Sequence, residues 1–297
     1  MNQKVKFVYF GSPDFSTFVL DELEQAGFVP ALVVTRPDEP AGRKHTLTPT
    51  PVKLWAEVRG IPVEESLNFE NWKMKIGNFD LGILAAYGKI IPDPILNIFP
   101  KGILNIHPSL LPKFRGPTPV QSAILAGEKE TGVSVILLDK EMDHGPILKQ
   151  VSGYSLQGVD YRKATEDLFR LGGQMLIKII PDWIAGKIKS KEQNHTQATY
   201  TKKFTNGEAF IKPETITGHQ VSEGTPGVQQ MQEVEYAMRQ VRALNPEPGT
   251  WTIVRSKNKE LRIKILSAKI EDGKLVPVRV IPAGKKEMPF SVLLQSL

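Results

Sequence analysis

The strongest candidates for chemistry in this 297-residue chain are Asn105 and His107. They sit in the run Leu104-Asn105-Ile106-His107-Pro108-Ser109-Leu110-Leu111-Pro112. Residues two apart on a strand point to one face, so Asn105 and His107 project together while Ile106 faces the opposite layer. Pro108 stops the strand just after them. Two polar side chains therefore stand at the carboxyl end of a strand, where open α/β sheets place their ligands. Alone, the pair is as consistent with satisfied structural residues as with a site. A second segment shifts that balance. The buried run 133–139 leads into Lys140-Glu141-Met142-Asp143-His144-Gly145-Pro146, which a parallel strand would deliver to the same sheet edge. An Asp there would hold the His107 ring in orientation and favour its charged form.

Asn, His and Asp together suit acyl transfer without a covalent intermediate. Attack of an amine on a formyl carbonyl puts negative charge on oxygen, which Asn105 and His107 can stabilise by hydrogen bonding. The attacking nitrogen must also lose a proton, and Asp143, directly or through water, is a candidate acceptor. Other chemistries fit less well. Ser109 lacks a Gly-x-Ser-x-Gly elbow and lies in a proline-bounded loop. His45, His107, His144, His195 and His219 show no ligand spacing such as His-Glu-x-x-His, and the chain has no cysteine, so no metal is expected. Gly11-Ser12-Pro13-Asp14 occupies the place of a dinucleotide fingerprint but has one glycine of those needed. A helix cap at Ser12 explains it better.

Elements able to position these residues follow from apolar periodicity. Runs at 5–10, 31–35, 81–86, 103–107 and 133–138 read as strands, those at 81–86 and 103–107 barely alternating and so buried on both sides. Helical patterns follow Ser12 and recur at 118–127 and 160–184, the last weakened by Gly172-Gly173 and Pro181. Alternating strands and helices predict an α/β fold, a Rossmann-like domain with a mostly parallel sheet over residues 1–189. The polar segment 190–205 reads as a linker. Residues 206–297 hold a helical pattern at 228–244 and strand patterns at 250–254, 261–266, 275–280 and 290–294, as expected of a smaller OB-like β-barrel domain.

Composition sets outer bounds. Apolar residues at 40% and charged residues at 24% are ordinary for a globular chain. The absence of cysteine excludes disulfide and thiolate chemistry. Neither a signal-peptide pattern nor an apolar run of bilayer length is visible, so a cytoplasmic protein without a membrane partner is expected. The net charge of +6 is unevenly spread: residues 201–297 carry 15 Lys and Arg against 10 Asp and Glu, the first 200 carry 23 against 22. That excess fits either a solvated surface or a polyanion-binding face.

Over nearly its whole length the sequence resembles the folate-dependent formyltransferases, most closely the branch that acts on methionyl-tRNA. The resemblance rests on Asn105-x-His107, Ser109-Leu110-Leu111-Pro112, Arg115-Gly116 and Asp143-x-Gly145. It implies that Asn105, His107 and Asp143 are catalytic and that Ser109, Leu110, Leu111 and Pro112 line a folate pocket. It also implies that Ala86, Tyr87 and Gly88 form part of a pterin-facing wall, and that 10-formyltetrahydrofolate is the formyl donor. Phe10-Gly11-Ser12-Pro13-Asp14-Phe15, the run from Val34 to Arg43, and Pro49-x-Pro51-Val52-Lys53 resemble the opening motif and substrate loop of that branch. By the same resemblance, Arg43 and Lys44 reach the acceptor end of initiator methionyl-tRNA. Val241-Arg242-Ala243-Leu244-Asn245-Pro246 and Pro282-x-Gly284-Lys285-Lys286 look like its C-terminal domain. Window 239–286 holds 12 Lys and Arg against 4 acids, a surface suited to phosphate contacts.

The sequence departs from the family pattern at Lys113-Phe114, at Gly116-Pro117-Thr118-Pro119 and at His144 between Asp143 and Gly145. None of these removes a candidate catalytic group. Two other readings stay open: a formyltransferase for a small amine (a nucleotide precursor or an amino sugar), and an RNA-binding protein without catalysis. The first would not need residues 206–297 for phosphate contact, and the intact trio weighs against the second. A monomer suffices for all three.

Overall fold

The computed structural model describes residues 5–41, 46–68, 70, 78–216, 228–256 and 259–296. Its first sheet is built on β1 (Phe7–Phe10), whose four residues are all buried, as a strand covered on both faces requires. Parallel to it run β2 (Leu32–Val34), β5 (Val63–Glu64), β6 (Leu81–Leu84) and β7 (Ile103–His107), with β3 (Glu39–Ala41) and β4 (Thr46–Thr48) pairing as a separate antiparallel hairpin. The strand order is β5-β2-β1-β6-β7-β8-β9, with β8 (Glu130–Leu137) and β9 (Ile147–Ser155) completing the edge. The chain winds outward from β1 in one direction, then restarts at β6 on the other side. That reversal opens a crevice at the carboxyl ends of β1 and β6, next to β7.

Helices α1 (Asp14–Gln25), α2 (Pro51–Val58), the single-turn α3 (Asp93–Leu96), α4 (Pro119–Ala126) and α5 (Tyr161–Ile184) connect these strands. α2 starts at the expected type of signal, Thr50 accepting from the Lys53 N–H with Pro51 at the first position. α1 does not. Its N-terminal flanking residue is Pro13, and Ser12 caps nothing. The Ser12 hydroxyl donates to the Tyr87 carbonyl and accepts from Thr35 Oγ1 and the Arg36 N–H, tying together the ends of β1, β2 and β6. The two glycines that weaken α5 as a helix serve its packing. A Cβ on Gly172 would run into the Ile106 side chain on β7, and one on Gly173 into Glu22 and Val19 of α1.

Two expectations about the sheet need correction. Strand 133–138 was expected to run parallel, but β8 is antiparallel to β7, pairing Leu104 with Leu137 and His107 with Ser134. β9 was not foreseen; it forms an outer strand antiparallel to β8 with mostly exposed or half-buried residues.

By its contacts the chain divides into two units, one of Met1–Pro119, Glu130–Ser155 and Thr165–Thr201, the other of Val120–Lys129, Leu156–Ala164 and Lys202–Leu297. The segment 190–201, read from composition as linker, lies within the first. There, strand-like bonds run from Arg115 N–H to Thr199 O and from Thr201 N–H to Arg115 O.

The second unit carries a four-stranded antiparallel sheet, β10 (Trp251–Ser256), β11 (Lys259–Glu271), β12 (Lys274–Pro282) and β13 (Met288–Pro289). α6 (Val228–Leu244) packs on it through Val234, Ala237 and Val241, against Ile263, Ile265, Leu275 and Val280. The pattern at 290–294 is not a strand but α7 (Phe290–Gln295), whose Phe290 and Leu293 close the same core. Replacing Gly172 by Val should force α5 away from β7 and lower stability by about 1–3 kcal/mol. A thermal or urea transition at the wild-type midpoint would contradict the close approach described.

Candidate active site

β7 presents Asn105 and His107 on one face, and both are buried, each 4% exposed. Asp143 lies against them. The Asn105 side-chain N–H donates to Asp143 Oδ1 at 3.2 Å, and His107 Nδ1 stands 3.5 Å from the same oxygen. The other carboxylate oxygen accepts from the Gly116 backbone N–H at 2.8 Å. Asp143 therefore reaches the expected partners, but by another route than expected. Because β8 is antiparallel, its end lies beside the start of β7, and the 138–146 loop must fold back along the sheet to bring Asp143 to Asn105 and His107.

Three non-glycine residues around the site adopt left-handed backbone angles: Ala86 (φ 54°), Phe114 (φ 62°) and Asp143 (φ 51°). Such conformations persist where surroundings hold them, and they concentrate at functional sites. Two glycines make the tight approaches. At Gly116 φ is 109°, and a side chain there would also meet Thr201; at Gly145 a Cβ would collide with the Leu137 carbonyl.

The ring of His107 is fixed at both nitrogens. Nε2 lies 2.9 Å from the Phe114 carbonyl, which can only accept, so Nε2 carries a proton. Nδ1 then faces the carboxylate. Asn105 commits one of its two side-chain N–H groups to Asp143, which leaves the second for a substrate oxygen.

The residues expected around a folate divide between packing and surface. Ser109 is fully buried, its hydroxyl donating to the Lys113 carbonyl, while its own carbonyl accepts from Ser134 Oγ. Leu111 is buried, and Leu110 and Pro112 are half-exposed. The Tyr87 ring belongs to the core, edge-on to Phe10, with a hydroxyl that finds no partner among the described residues; burial pushes that phenol above its ordinary pKa. Ala86 and Gly88, half-buried and exposed, remain at the end of β6. Arg43 and Lys44 lie outside the described residues. Neither Gly116 nor Phe114, both within motifs noted in the sequence, carried an expected role, and Gln193 stood out in none. Gln193 donates to the carbonyls of Asp143 at 2.9 Å and Gly145 at 2.8 Å. Arg115-Gly116 was visible as a motif, whereas Gln193 carried no signal in a polar stretch.

Residues 3–180 match the family model described as formyl transferase. The chain belongs to the formyl transferase family. A methionyl-tRNA formyltransferase of Chloroflexus aurantiacus is 38% identical over 281 residues, covering 93% of this chain and 84% of that protein. One from Chloroflexus aggregans is 44% identical over 202 residues; the match spans 67% of this chain and 65% of that relative, just under two thirds of its length. Among solved structures, an N-formyltransferase from Helicobacter canadensis, in complex with folinic acid and dTDP-3-aminofucose, superposes with a TM-score of 0.60 at 19% identity. That match covers 90% of this chain and 88% of that one, a likeness of fold.

Gly145→Ala tests the loop geometry in this formyltransferase. The added methyl group must displace the Leu137 carbonyl, so we expect a stability loss of about 1–3 kcal/mol, together with a fall in formyl transfer. Full activity and an unchanged unfolding transition would rule out the described turn.

Proposed function

We propose that this protein transfers the formyl group of 10-formyltetrahydrofolate to the α-amino group of methionyl-initiator tRNA. The observation that carries the reading is the convergence of Asn105, His107 and Asp143 in a chain whose relatives at 38% and 44% identity are methionyl-tRNA formyltransferases. The amine nitrogen attacks the formyl carbon, forming a C–N bond and pushing the carbonyl electrons onto oxygen. The second N–H of Asn105 stabilises that oxyanion. Asp143 accepts the proton lost by the amine, with His107 Nδ1 beside it to share the proton. Collapse breaks the bond to the folate nitrogen, which leaves with a proton returned from the same pair. Formyl-amine and tetrahydrofolate result, with no electron transfer, and one chain supplies every group.

In this reading the folate donor binds along Ser109–Pro112 with Ala86 and Gly88 at its edge, where the core position of the Tyr87 ring restricts that residue to a backbone contribution. Folinic acid in the Helicobacter canadensis enzyme supports a folate in this fold. Arg43 and Lys44 approach the acceptor end of the tRNA, and the second unit holds its backbone. Along β11, Ile263 and Ile265 are buried while Arg262 and Lys264 are exposed on the opposite face. Arg262 stacks over the Trp251 ring at 4.0 Å, which fixes its charge in place. The turn carrying exposed Lys285 and Lys286 bonds back to Arg262 through the Ala283 N–H. These cations form a cluster suited to phosphates. No described helix is long and apolar enough to cross a membrane, and we place the reaction in the cytoplasm with translation initiation.

The direct test is incubation with charged initiator tRNA and 10-formyltetrahydrofolate, followed by measurement of blocked amino groups. A free amine after saturating donor, or transfer to an amino sugar instead, would sink the reading. Asp143→Asn should reduce kcat by about 10²–10⁴-fold, the usual contribution of a proton-transfer group, in a single-turnover assay with folate binding retained. The paired change Lys285→Glu and Lys286→Glu should raise KM for tRNA without changing KM for folate. It should also lower the salt dependence of tRNA binding by roughly one unit of log–log slope per lost contact. An unaltered salt slope would remove these lysines from the interface.

A further inference from the structure

We propose that Arg115 and Gln193 are positioning residues for Asp143, with the buried Arg115 guanidinium as the hub that fixes the 143–145 turn. This rests on the reading of Asp143 as the proton acceptor. Arg115 is 1% exposed. Among the described residues its hydrogen-bond partners are neutral: Nη2 donates to Gln193 Oε1 at 2.7 Å and to His195 Nδ1 at 2.9 Å, Nε donates to Gln193 Oε1 at 3.2 Å, and Nη1 to the Tyr200 hydroxyl at 3.3 Å. No ion pair of Arg115 occurs among the described residues. A buried cation without a counter-ion opposes folding, so its place is not explained by stability.

What it holds explains it better. Both arms from the guanidinium end on the same three residues. Gln193, with its carbonyl oxygen fixed by Arg115, has its amide nitrogen aimed at the carbonyls of Asp143 and Gly145. His195, with Nδ1 occupied by Arg115, stacks on His144 at 4.1 Å with the rings 6° apart. Asp143, His144 and Gly145 are thus each gripped by a group that Arg115 orients. Gly116, the next residue, grips the Asp143 carboxylate directly. Asp143 keeps its left-handed backbone under this load, and with it the aim of its carboxylate at Asn105 and His107.

Gln193→Glu isolates the effect. The new side chain still accepts from Arg115 but turns an oxygen, not an N–H, toward the two carbonyls. Formyl transfer to methionyl-tRNA should lose about 10–100-fold in kcat, the scale of an ångström misplacement, while KM for folate and tRNA stays within roughly two-fold. Arg115→Lys should show the same split, because one ammonium cannot serve both Gln193 and His195. Gln193→Met, neutral and of similar length, carries the same expectation should the Glu variant fail to fold by circular dichroism. In the double variant Asp143→Asn/Gln193→Glu, the second change should cost nothing further, since it acts only through Asp143. Additive losses, or folded Gln193 variants with parental kcat, overturn the positioning role. If Asp143→Asn itself keeps the parental rate, the reading of Asp143 fails instead, and the two failures are told apart.

Discussion

The hydrogen bonds that surround one buried carboxylate set the terms for the rest of this molecule. A carboxylate side chain that is 13% exposed cannot rely on water, so its charge must be met by N–H groups from the protein. Asn105 and Gly116 supply them from two different segments, one on a strand and one on a loop. Neither segment could do so without constraints of its own. β7 must place polar residues at two alternate positions, 105 and 107, of a buried strand, and the loop must turn at Gly116 with a backbone angle that favours glycine. β7 answers two demands at once: Asn105 and His107 serve the site on one face, while Ile106 fills the space left by Gly172 on the other. A change that loosens the α5 contact therefore reaches Asn105 and His107 through a single strand.

How much of this was legible depends on the range of the interaction. The shared face of Asn105 and His107 is a local property of strand alternation, and β7 has the expected bounds. Asp143 lies beside Asn105 and His107, but not by the parallel strand expected to bring it there. Hydrophobic periodicity carries no strand direction, so the run at 133–138 does not reveal that it lies antiparallel to β7. β9 escaped notice because an outer strand with Lys149, Gln150 and Ser152 exposed lacks the apolar run of a buried one. Ser12 has the right residue type for a cap, but the chain ends of β2 and β6 compete for its hydroxyl and win. Gln193 was invisible for the same reason in stronger form. Its partners lie 48 to 78 positions away, so nothing in its own neighbourhood marks it.

The second unit shows the complementary error. Phe290-Ser291-Val292-Leu293-Leu294 has the apolar and branched content of a strand, yet Phe290 and Leu293 are three apart and only a helix turns both onto the core. Pro289 starts that helix, a position where its missing N–H costs nothing. In contrast, β11 was underestimated. It continues to Glu271 through irregular pairing near Ser267, where the alternation that marks a strand is broken.

Division of labour between the two units follows from what each can recognise. In the proposed reaction Asn105, His107 and Asp143 act on an amine, a formyl carbon and a leaving nitrogen, groups that any acceptor of this chemistry brings. The trio cannot choose among acceptors. The cations at Arg262, Lys264, Lys285 and Lys286 can raise affinity for a polyanion, but phosphate is common to every nucleic acid. Under the proposed function they favour tRNA over a small amine without separating one tRNA from another. Discrimination among tRNAs must therefore come from contacts to base edges or to the aminoacyl group near the site of transfer. Such contacts act through the position of the amine, because a misplacement of about 1 Å there costs roughly a hundredfold in rate. In the proposed reaction, the same sensitivity that makes the grip on Asp143 matter gives a means of rejecting a tRNA that binds well but delivers its amine badly.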